Sequence, residues 1–405
     1  PHARARASAP ARCAHWLAAA RAWPRHMGYL AARVMPRPLG TGRAERKASG
    51  RPEARGDGSP GAGQRMQDRF QRLEKIGEGS CGVVFKCRDK TDGGVVAVKK
   101  INFTYDCEGG APFGVPAAAL REVALLRALG GHPNVVALRE AFMEADRMFL
   151  VCDFVDCDLR RHLDSLGRLH PMRAKLYAWQ VFHALAHCHA HRVAHRDVKP
   201  HNLLVEVATD TIKLCDFSLS CSVIAPNGNQ TRRVASLWYR SPEILLGGDA
   251  QGVPLDCWSA GCVLGELVSD SPVFPGASEI ETIFLQFRKL GTPTERSWPG
   301  CTKLQHWSEK FPLFAPEEGP IAGAPPGCAP LLAGLLRCDP ALRVSMQRAL
   351  CHTYFADLDI TTRVGKVARE LLPSGVVGKH ASGAADGGAV AKRQRLPGDR
   401  MLQIA

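Results

Sequence analysis

The sequence predicts an α+β fold with two lobes, a small β-rich lobe followed by a larger α-helical lobe. In residues 70–100, apolar side chains alternate between turns, one of them at Asp92-Gly93-Gly94, and this pattern predicts three antiparallel strands. Apolar residues at helical spacing then predict a helix over 116–129. After a buried strand at 149–154, stripes typical of helices dominate, at residues 172–189, 254–269 and 278–290.

The two ends of the chain differ in composition from the part between them. Residues 1–65 contain 13 Lys/Arg and 3 Asp/Glu, so they carry most of the net charge of +14. Their Ala, Arg, Pro and Gly cannot bury a core, so we expect a disordered basic extension, or upstream sequence with translation starting at Met66. The predicted domain spans 66–359, with a small lobe at 66–154, a large lobe at 155–359 and a flexible tail at 360–405.

Charge, hydropathy and cysteine spacing argue against several classes of protein. Because the excess charge lies in residues 1–65, it does not indicate a nucleic-acid-binding surface on the folded part, and a nucleic-acid-binding tail is the weaker alternative. No run of about 18 uncharged apolar residues predicts a membrane span. The 15 cysteines occur singly without a CxxC pair, which favours reduced thiols. An acid-poor, Arg-rich start also fits an organelle transit peptide, the alternative to a nuclear and cytoplasmic location.

A glycine-rich segment connects the first two predicted strands. Gly77, Gly79 and Gly82 fit the pattern GxGxxG, with Val84 two positions later. Glycines let backbone N–H groups approach phosphates closely. A dinucleotide site would need a helix directly after the glycines, whereas a strand is predicted here. The segment therefore favours a loop that covers the phosphates of ATP.

Lys99 lies within the third predicted strand, in an apolar Val-Ala-Val-Lys run. A charge in such a strand is costly unless it is paired. Glu122, on the next predicted helix, supplies a partner, and the pair would hold Lys99 against the α- and β-phosphates.

Residues 195–202 place a carboxylate, a cation and an amide at fixed offsets on one loop. Asp197 would orient an incoming hydroxyl, and Lys199 would balance charge on the transferred phosphoryl group. Asn202 and Asp216 would bind Mg²⁺ through oxygen atoms. These two residues are 14 positions apart, which predicts a short hairpin that ends at the cleft.

These motifs resemble the signature set of eukaryotic Ser/Thr protein kinases over residues 76–343, nearly the whole folded part. Ser241-Pro242-Glu243 stands where that family has Ala-Pro-Glu, and Lys199 after the catalytic Asp is typical of Ser/Thr kinases. Within this set the chain resembles the cyclin-dependent kinases of the CMGC group. That closer likeness is carried by residues 66–70, 116–122, 237–240, 274–276 and 290–293.

The resemblance implies a cyclin-type regulatory subunit, substrates with Ser-Pro or Thr-Pro, and a role in cell-cycle or transcription control. It implies that Asp153 and Val155 hydrogen-bond adenine, and that Glu243 pairs with Arg343. The residues that would enclose the adenine ring are Ile76, Val84, Ala97 and Leu204.

The resemblance also implies a switch. Thr231 aligns with the activating threonine of the family, and its phosphate would draw in Arg121 and Arg196. Ser80 is the remaining inhibitory site, because Cys81 replaces the tyrosine that often follows it. A mitogen-activated kinase would carry Thr-x-Tyr here, whereas Arg233 stands two positions after Thr231.

Three residues depart from the family pattern near the cleft. Ser218 replaces the glycine of Asp-Phe-Gly, which is expected to restrict or misplace Asp216. Cys221 replaces the third arginine that clasps the phosphothreonine, and Cys152 stands at the gatekeeper position. Ser218 and Cys221 leave open an alternative, a pseudokinase or weakly active cyclin-binding scaffold.

His183 and His187 lie four positions apart on a predicted helix, a spacing that can bind zinc. Histidines are common at this helix end before the catalytic loop of kinases, so we favour ordinary packing over a metal site.

Overall fold

The structure, a computed structural model, describes residues 66–79, 82–102, 115–144, 147–222, 236–248, 252–317, 321, 323–325 and 327–358. The predictions for residues 1–65 and 360–405, for Ser80 and for Thr231 lie outside these residues. None of the described helices has the length and apolar character that crossing a membrane requires. No disulfide joins the cysteines that the structure describes.

The first lobe is built on a five-stranded antiparallel sheet. Its elements are α1 (Met66–Arg69), β1 (Phe70–Gly79), β2 (Gly82–Asp89), β3 (Val95–Asn102), α2 (Ala117–Leu129), β4 (Leu138–Glu144) and β5 (Arg147–Asp153). The strand order in the sheet is β1-β2-β3-β5-β4. The three strands, the helix and the buried strand expected from the sequence are confirmed. Strand β4 was not predicted.

The sheet presents different faces to its two sides. On β3, Val96 and Val98 are fully buried in a cluster with Phe85 of β2. Successive side chains of a strand point to opposite faces, so Ala97 and Lys99 point the other way and are half-buried. The register pairs Lys99 with Val84 and Ala97 with Cys152. Strand alternation therefore directs Lys99 toward the second lobe.

Gly82 is required by strand packing as well as by loop geometry. Its φ is +146°, and a Cβ at this position would lie 2.0 Å from the carbonyl oxygen of Lys100 on β3. No side chain fits at that distance. By contrast, a Cβ at Gly77 would meet only Val84, at 3.8 Å. Part of the glycine pattern therefore serves the close approach of β2 to β3.

The second lobe is mainly helical. Its helices are α3 (Leu159–Leu166), α4 (Pro171–Ala190), α5 (Pro242–Leu245), α6 (Val253–Ser269), α7 (Glu279–Leu290), α8 (Ala329–Leu335) and α9 (Met346–Leu350). Its strands are β6 (Cys157–Asp158), β7 (Val193–Ala194), β8 (Leu203–Glu206), β9 (Thr211–Leu214) and β10 (Cys221–Ser222). Short 3₁₀ turns lie at Pro200–Asn202, Leu237–Tyr239, Cys301–Lys303, Pro340–Leu342 and Thr353–Phe355. The three long helices expected from the sequence are confirmed to within two residues at each end.

Helices α4 and α6 form the centre of this lobe. Pro171 starts α4, where a missing N–H costs nothing, and the His170 side chain accepts a hydrogen bond from the Met172 N–H. Tyr177 and Phe182 of α4 and Trp258 of α6 are fully buried. Large side chains on neighbouring helices thus exclude water from the layer directly beneath the cleft.

The β8–β9 hairpin ends at the cleft. Leu203 pairs with Leu214, and the Cys215 N–H donates to the Asn202 carbonyl at 3.0 Å. The hairpin therefore brings Asn202, which precedes β8, beside Asp216, which follows β9. The predicted hairpin between these two residues is confirmed.

Candidate active site

Lys99 meets two carboxylates where the lobes face each other. Its Nζ lies 2.8 and 2.9 Å from the two carboxylate oxygens of Glu122 on α2. The same Nζ lies 3.5 Å from Oδ1 of Asp216. The structure thus brings together three residues that the sequence placed in the phosphate-binding part of the site.

Burial acts on the two carboxylates of this cluster in the same direction, but the outcome differs. Burial raises the pKa of Glu122 above its ordinary value, although the charge of Lys99 opposes the shift. Burial also raises the pKa of Asp216, but the charge of Lys99 and the neighbouring Ser218, whose N–H lies 3.4 Å from Oδ1, outweigh it, so the net shift is downward. Asp216 is therefore the carboxylate that stays ionised most readily, as a cation ligand must.

Asp197 lies at the centre of the catalytic loop. Its Oδ2 accepts hydrogen bonds from Lys199 Nζ and Asn202 Nδ2, both at 2.8 Å. Its Oδ1 accepts from the Ser236 N–H at 3.2 Å. Asp197 is buried, and every one of these donors fixes the orientation of its carboxylate.

Sequence reasoning missed Ser236. Its contribution comes from a backbone N–H, and such a group leaves no trace in residue type. Only the position of the turn at Leu237–Tyr239, which begins directly after Ser236, could have pointed to it.

Asn202 and Asp216 offer the oxygen atoms that a hard divalent cation prefers. Asn202 uses its amide nitrogen for Asp197, through bonds of 2.8 Å to the Asp197 backbone oxygen and to Oδ2. The amide oxygen of Asn202 is therefore the atom that can bind a cation. The Asp216 side chain is 39% exposed, so it opens to the cleft. The donor set fits a divalent cation.

Asp256 of α6, which sequence reasoning also missed, holds the catalytic loop from below. Its Oδ2 accepts from the His195 N–H at 2.8 Å and from His189 Nε2 at 2.8 Å, and its Oδ1 accepts from the Arg196 N–H at 2.7 Å. Asp256 has no exposed surface. Burial raises the pKa of this carboxyl, but the hydrogen bonds and charge of His189 turn the net shift downward. An acid inside an otherwise buried helix was the available signal.

Arg196 has the left-handed φ of +70°, a backbone conformation that few side-chain-bearing residues adopt. The Asp256 bond to its N–H stabilises this conformation. Arg196 is buried, whereas Arg121 is exposed on α2. Cys221 is buried on β10, opposite Ala194.

The predicted adenine-enclosing residues lie on the strands that border the cleft. Ile76, Val84, Ala97 and Leu204 are all half-buried. Of the two hinge residues, Val155 is buried and Asp153 is half-buried, and the Asp153 N–H already donates to the Ala137 carbonyl at 3.1 Å. The assignment of adenine hydrogen bonds to Asp153 and Val155 stays a prediction.

The histidines of α4 are engaged in packing and hydrogen bonds. His183 Nδ1 lies 3.1 Å from Asn134 Oδ1, and His187 Nε2 lies 3.2 Å from the Leu129 carbonyl. Both rings contact the His132 ring, at 4.4 Å between centroids. Within the described part of the chain, no group of three or more His, Cys, Asp or Glu side chains is arranged to hold a metal ion.

The fold and this cleft define an ATP-dependent phosphotransferase. The model of the protein kinase domain matches the chain over residues 70–355, well over half of its length. The chain therefore belongs to the protein kinase family. Such a domain uses ATP and a divalent cation, and the cation reduces repulsion between the phosphates and an incoming nucleophile.

Proposed function

We propose that this kinase is a cyclin-dependent, proline-directed Ser/Thr kinase that transfers the γ-phosphate of ATP to Ser or Thr hydroxyls in the presence of Mg²⁺. The observation that carries the proposal is the fixed Asp197 carboxylate, which contacts Lys199 at 2.8 Å and the Ser236 N–H at 3.2 Å. Asp197 accepts the hydrogen bond of the substrate hydroxyl and directs its oxygen at the phosphorus. Lys199 neutralises charge on the transferred group.

Phosphate and cation binding fall to the other face of the cleft. Lys99, paired with Glu122 at 2.8 Å, would contact the α- and β-phosphates. Asn202 and Asp216 would hold Mg²⁺ through oxygen atoms. Ile76, Val84, Ala97 and Leu204 line the adenine site, and Gly77, Gly79 and Gly82 lie on the strands that cover the phosphates.

The outer face of α2 supports the proposal of a regulatory partner. Leu120 is 52% exposed there, although it is a large apolar residue, while Glu122 points inward. A partner that covers Leu120 would press on the helix that carries Glu122, and so on the pair with Lys99. By its resemblance to the cyclin-binding helix, this face fits a cyclin-type subunit.

The turn at Leu237–Tyr239 supports selection of the residue after the phosphoacceptor. It follows Ser236, whose N–H binds Asp197, so it borders the position of the substrate hydroxyl. Trp238 Nε1 donates to the Gly276 carbonyl at 2.9 Å, and the Arg240 carbonyl accepts from Gln286. A segment anchored in this way can keep one pocket shape, which fits Ser-Pro or Thr-Pro substrates.

By its resemblance to the cyclin-dependent kinases, we propose that the kinase acts in cell-cycle or transcription control, in the nucleus and cytoplasm.

The test combines the purified chain with a panel of cyclin subunits, Mg²⁺, labelled ATP and a matched pair of peptides that contain Ser-Pro or Ser-Ala. We expect transfer to the Ser-Pro peptide only when a cyclin is present, and none with Asp197→Asn. Equal transfer to both peptides would contradict the proline-directed part. Stable cyclin binding without transfer would replace the proposal by the scaffold that Ser218 and Cys221 suggested.

A further inference from the structure

Helix α6 holds Tyr239 at both its side chain and its backbone. The Tyr239 hydroxyl donates to Oε2 of Glu266 at 2.6 Å, and the Ser259 hydroxyl donates to the Tyr239 carbonyl at 2.9 Å. Ser259 and Glu266 are seven positions apart on α6, which is about two helical turns, so they lie on the same face of the helix. Tyr239 is the last residue of the turn at Leu237–Tyr239, and it is buried. One face of a central helix therefore fixes the end of this turn.

Glu266 is a buried carboxylate that binds a partner with each of its oxygens. Arg160 of α3 donates to Oε1, and Tyr239 donates to Oε2. Glu266 is only 1% exposed, and Arg160 supplies the counter-charge that a carboxylate at such a position needs. Arg160 also binds both oxygens of Asp164, from Nε at 3.2 Å and from Nη2 at 2.7 Å. Helix α3, helix α6 and the turn thus meet at Glu266.

The pKa shifts of this group agree with the direction of the hydrogen bond. Burial raises the pKa of Tyr239 far above its ordinary value, and the charge of Glu266 adds to the shift, so the phenol keeps its proton and donates. Burial also raises the pKa of Glu266, while the Tyr239 bond and the charge of Arg160 oppose the shift. Removing one partner would leave a buried polar group unsatisfied, which costs more than the bond itself contributes.

The turn that Tyr239 ends also begins beside the catalytic carboxylate. The Ser236 N–H lies 3.2 Å from Asp197 Oδ1, and the Tyr239 N–H donates to the Ser236 carbonyl at 3.0 Å. Between them, Leu237 and Trp238 are half-buried and keep part of their surface open. A displacement of Tyr239 would therefore move the side chains of the turn as well as the residue that contacts Asp197.

We propose that Glu266 is a positioning residue for substrate selection, which holds Tyr239 against α6 and so fixes the turn that selects the residue after the phosphoacceptor. Glu266 acts through Tyr239, because its own carboxylate is enclosed by protein. The inference rests on the proposed role of the turn in substrate selection. It does not depend on which residue the turn selects or on which cyclin binds.

The test compares wild type with Tyr239→Phe, which removes the hydroxyl and keeps the ring. The full chain, with whichever cyclin of the panel supports transfer, is given peptides that differ only in the residue after serine, including Pro and Ala. We expect the ratio of kcat/KM for Ser-Pro over Ser-Ala to fall about tenfold, because a hydrogen bond to a charged group is lost. Glu266→Gln keeps the shape but removes the charge, and it should lower the ratio as well.

A second readout needs neither cyclin nor peptide. Backbone amide exchange of the full chain, followed by mass spectrometry, reports how firmly residues 237–240 are held. Exchange in this segment should be faster in Tyr239→Phe and in Glu266→Gln than in wild type.

Tyr177→Phe is the matched control, because the chain contains a second buried tyrosine between a carboxylate and an arginine. The Tyr177 hydroxyl donates to Asp210 Oδ1 at 2.7 Å, and Arg173 lies 3.2 Å from Asp210 Oδ2. This variant should lower the thermal stability but leave the peptide ratio and the exchange of residues 237–240 unchanged.

An unchanged peptide ratio in Tyr239→Phe, or an equal fall in Tyr177→Phe, would overturn the proposal. A wild-type chain that prefers another residue to proline would contradict the proline-directed function, whereas loss of that preference in Tyr239→Phe would still support the role of Glu266. If the wild-type chain transfers no phosphate, the proposed activity fails and the exchange decides. Faster exchange in Tyr239→Phe alone would then support the positioning role, and unchanged exchange would overturn it.

Discussion

Two ion pairs of this kinase each join a basic side chain to a buried glutamate, but they differ in their surroundings. In the cleft, Lys99 and Glu122 meet across 23 positions of sequence, and the Lys99 side chain is 18% exposed. At the base of the large lobe, Arg343 and Glu243 meet across 100 positions, and both side chains are only 1% exposed. The first pair faces a ligand site, and the second is enclosed by protein.

The two pairs differ in how fully protein groups surround the cation. Arg343 bonds both oxygens of Glu243 and also donates to the carbonyls of Arg337, Pro254 and Cys338, at 2.8, 3.0 and 3.0 Å. Its guanidinium also lies 5.1 Å from the centroid of the Trp258 ring. Lys99 Nζ contacts Glu122 and Asp216, and its side chain keeps 18% exposure at the cleft. An enclosed pair can only stabilise the fold, whereas a pair with a partly exposed cation can also meet phosphates.

The largest effect should be the loss of activity when charged residues of the cleft are replaced. Lys99→Met and Asp197→Asn should each lower kcat/KM about 10²- to 10⁴-fold, because they remove groups that act on the transferred phosphoryl or the hydroxyl. The urea midpoint of Asp197→Asn should stay near that of wild type. That of Lys99→Met should fall less than that of Arg343→Met, because the raised pKa of Glu122 lets this carboxyl take up a proton once its counter-charge is removed. Lys100→Met, one position along β3, is the control and should keep activity. Unfolding of Lys99→Met would mean that the cleft pair is structural too.

The enclosed pair should respond in the opposite way. Arg343→Met leaves Glu243 buried without a counter-charge, so we expect the free energy of unfolding to fall by about 3–5 kcal/mol in urea titrations. The exposed Arg348 on α9 provides the control Arg348→Met, which should change it by less than about 0.5 kcal/mol. If the free energy of unfolding falls no more in Arg343→Met than in Arg348→Met, the enclosed pair does not stabilise the fold.

Asp256 joins the two regions, because α6 contacts Arg343 through the Pro254 carbonyl and the catalytic loop through Asp256. Asp256→Asn keeps the shape but loses the charge that accepts bonds from the His195 N–H, the Arg196 N–H and His189. We expect a loss of about 1.5–3 kcal/mol in stability together with a clear loss of kcat. Its folded pKa is lowered, so its contribution is complete above about pH 3.8 and disappears only as the pH falls below that value. A loss of stability without loss of kcat would separate the two regions.

The sequence predicted residue types better than backbone contacts. Lys99, Glu122, Asp197, Asn202 and Asp216 were found because a charge or amide at fixed spacing in an apolar setting has few structural uses. Ser236 was missed because it acts through its N–H. Gly82 was assigned to the phosphates alone, since the Lys100 carbonyl that excludes a Cβ belongs to a strand almost twenty residues away. Strand β4 escaped because none of its residues is fully buried and its sequence, Leu-Arg-Glu-Ala-Phe-Met-Glu, lacks a strict alternation.

The smallest expected effect concerns His132, His183 and His187, whose rings pack against one another in a half-buried cluster. Burial, with the charges of neighbouring histidines, lowers the pKa of His132 to about 3 and that of His183 to about 4. Unfolding returns these groups to about 6.5, so the unfolded chain takes up protons that the folded chain refuses. Stability should therefore be complete above pH 6.5 and fall as the pH drops toward 4.

This pH window separates the histidines from the aspartates, because the lowered pKa values of Asp216 and Asp256 keep both carboxylates charged throughout it. Urea midpoints at pH 7.5 and pH 5 measure the effect. His183→Gln, whose amide can still donate to Asn134 Oδ1, should shrink the difference between the two midpoints. Activity is a poor readout here, since burial raises the pKa of Glu122 and acid would weaken its pair with Lys99. An undiminished pH effect in His183→Gln would show that His183 does not carry the acid sensitivity and would leave His132 as its main source. Glu122 could not account for it, because a carboxyl whose pKa is raised in the folded state favours that state as the pH falls.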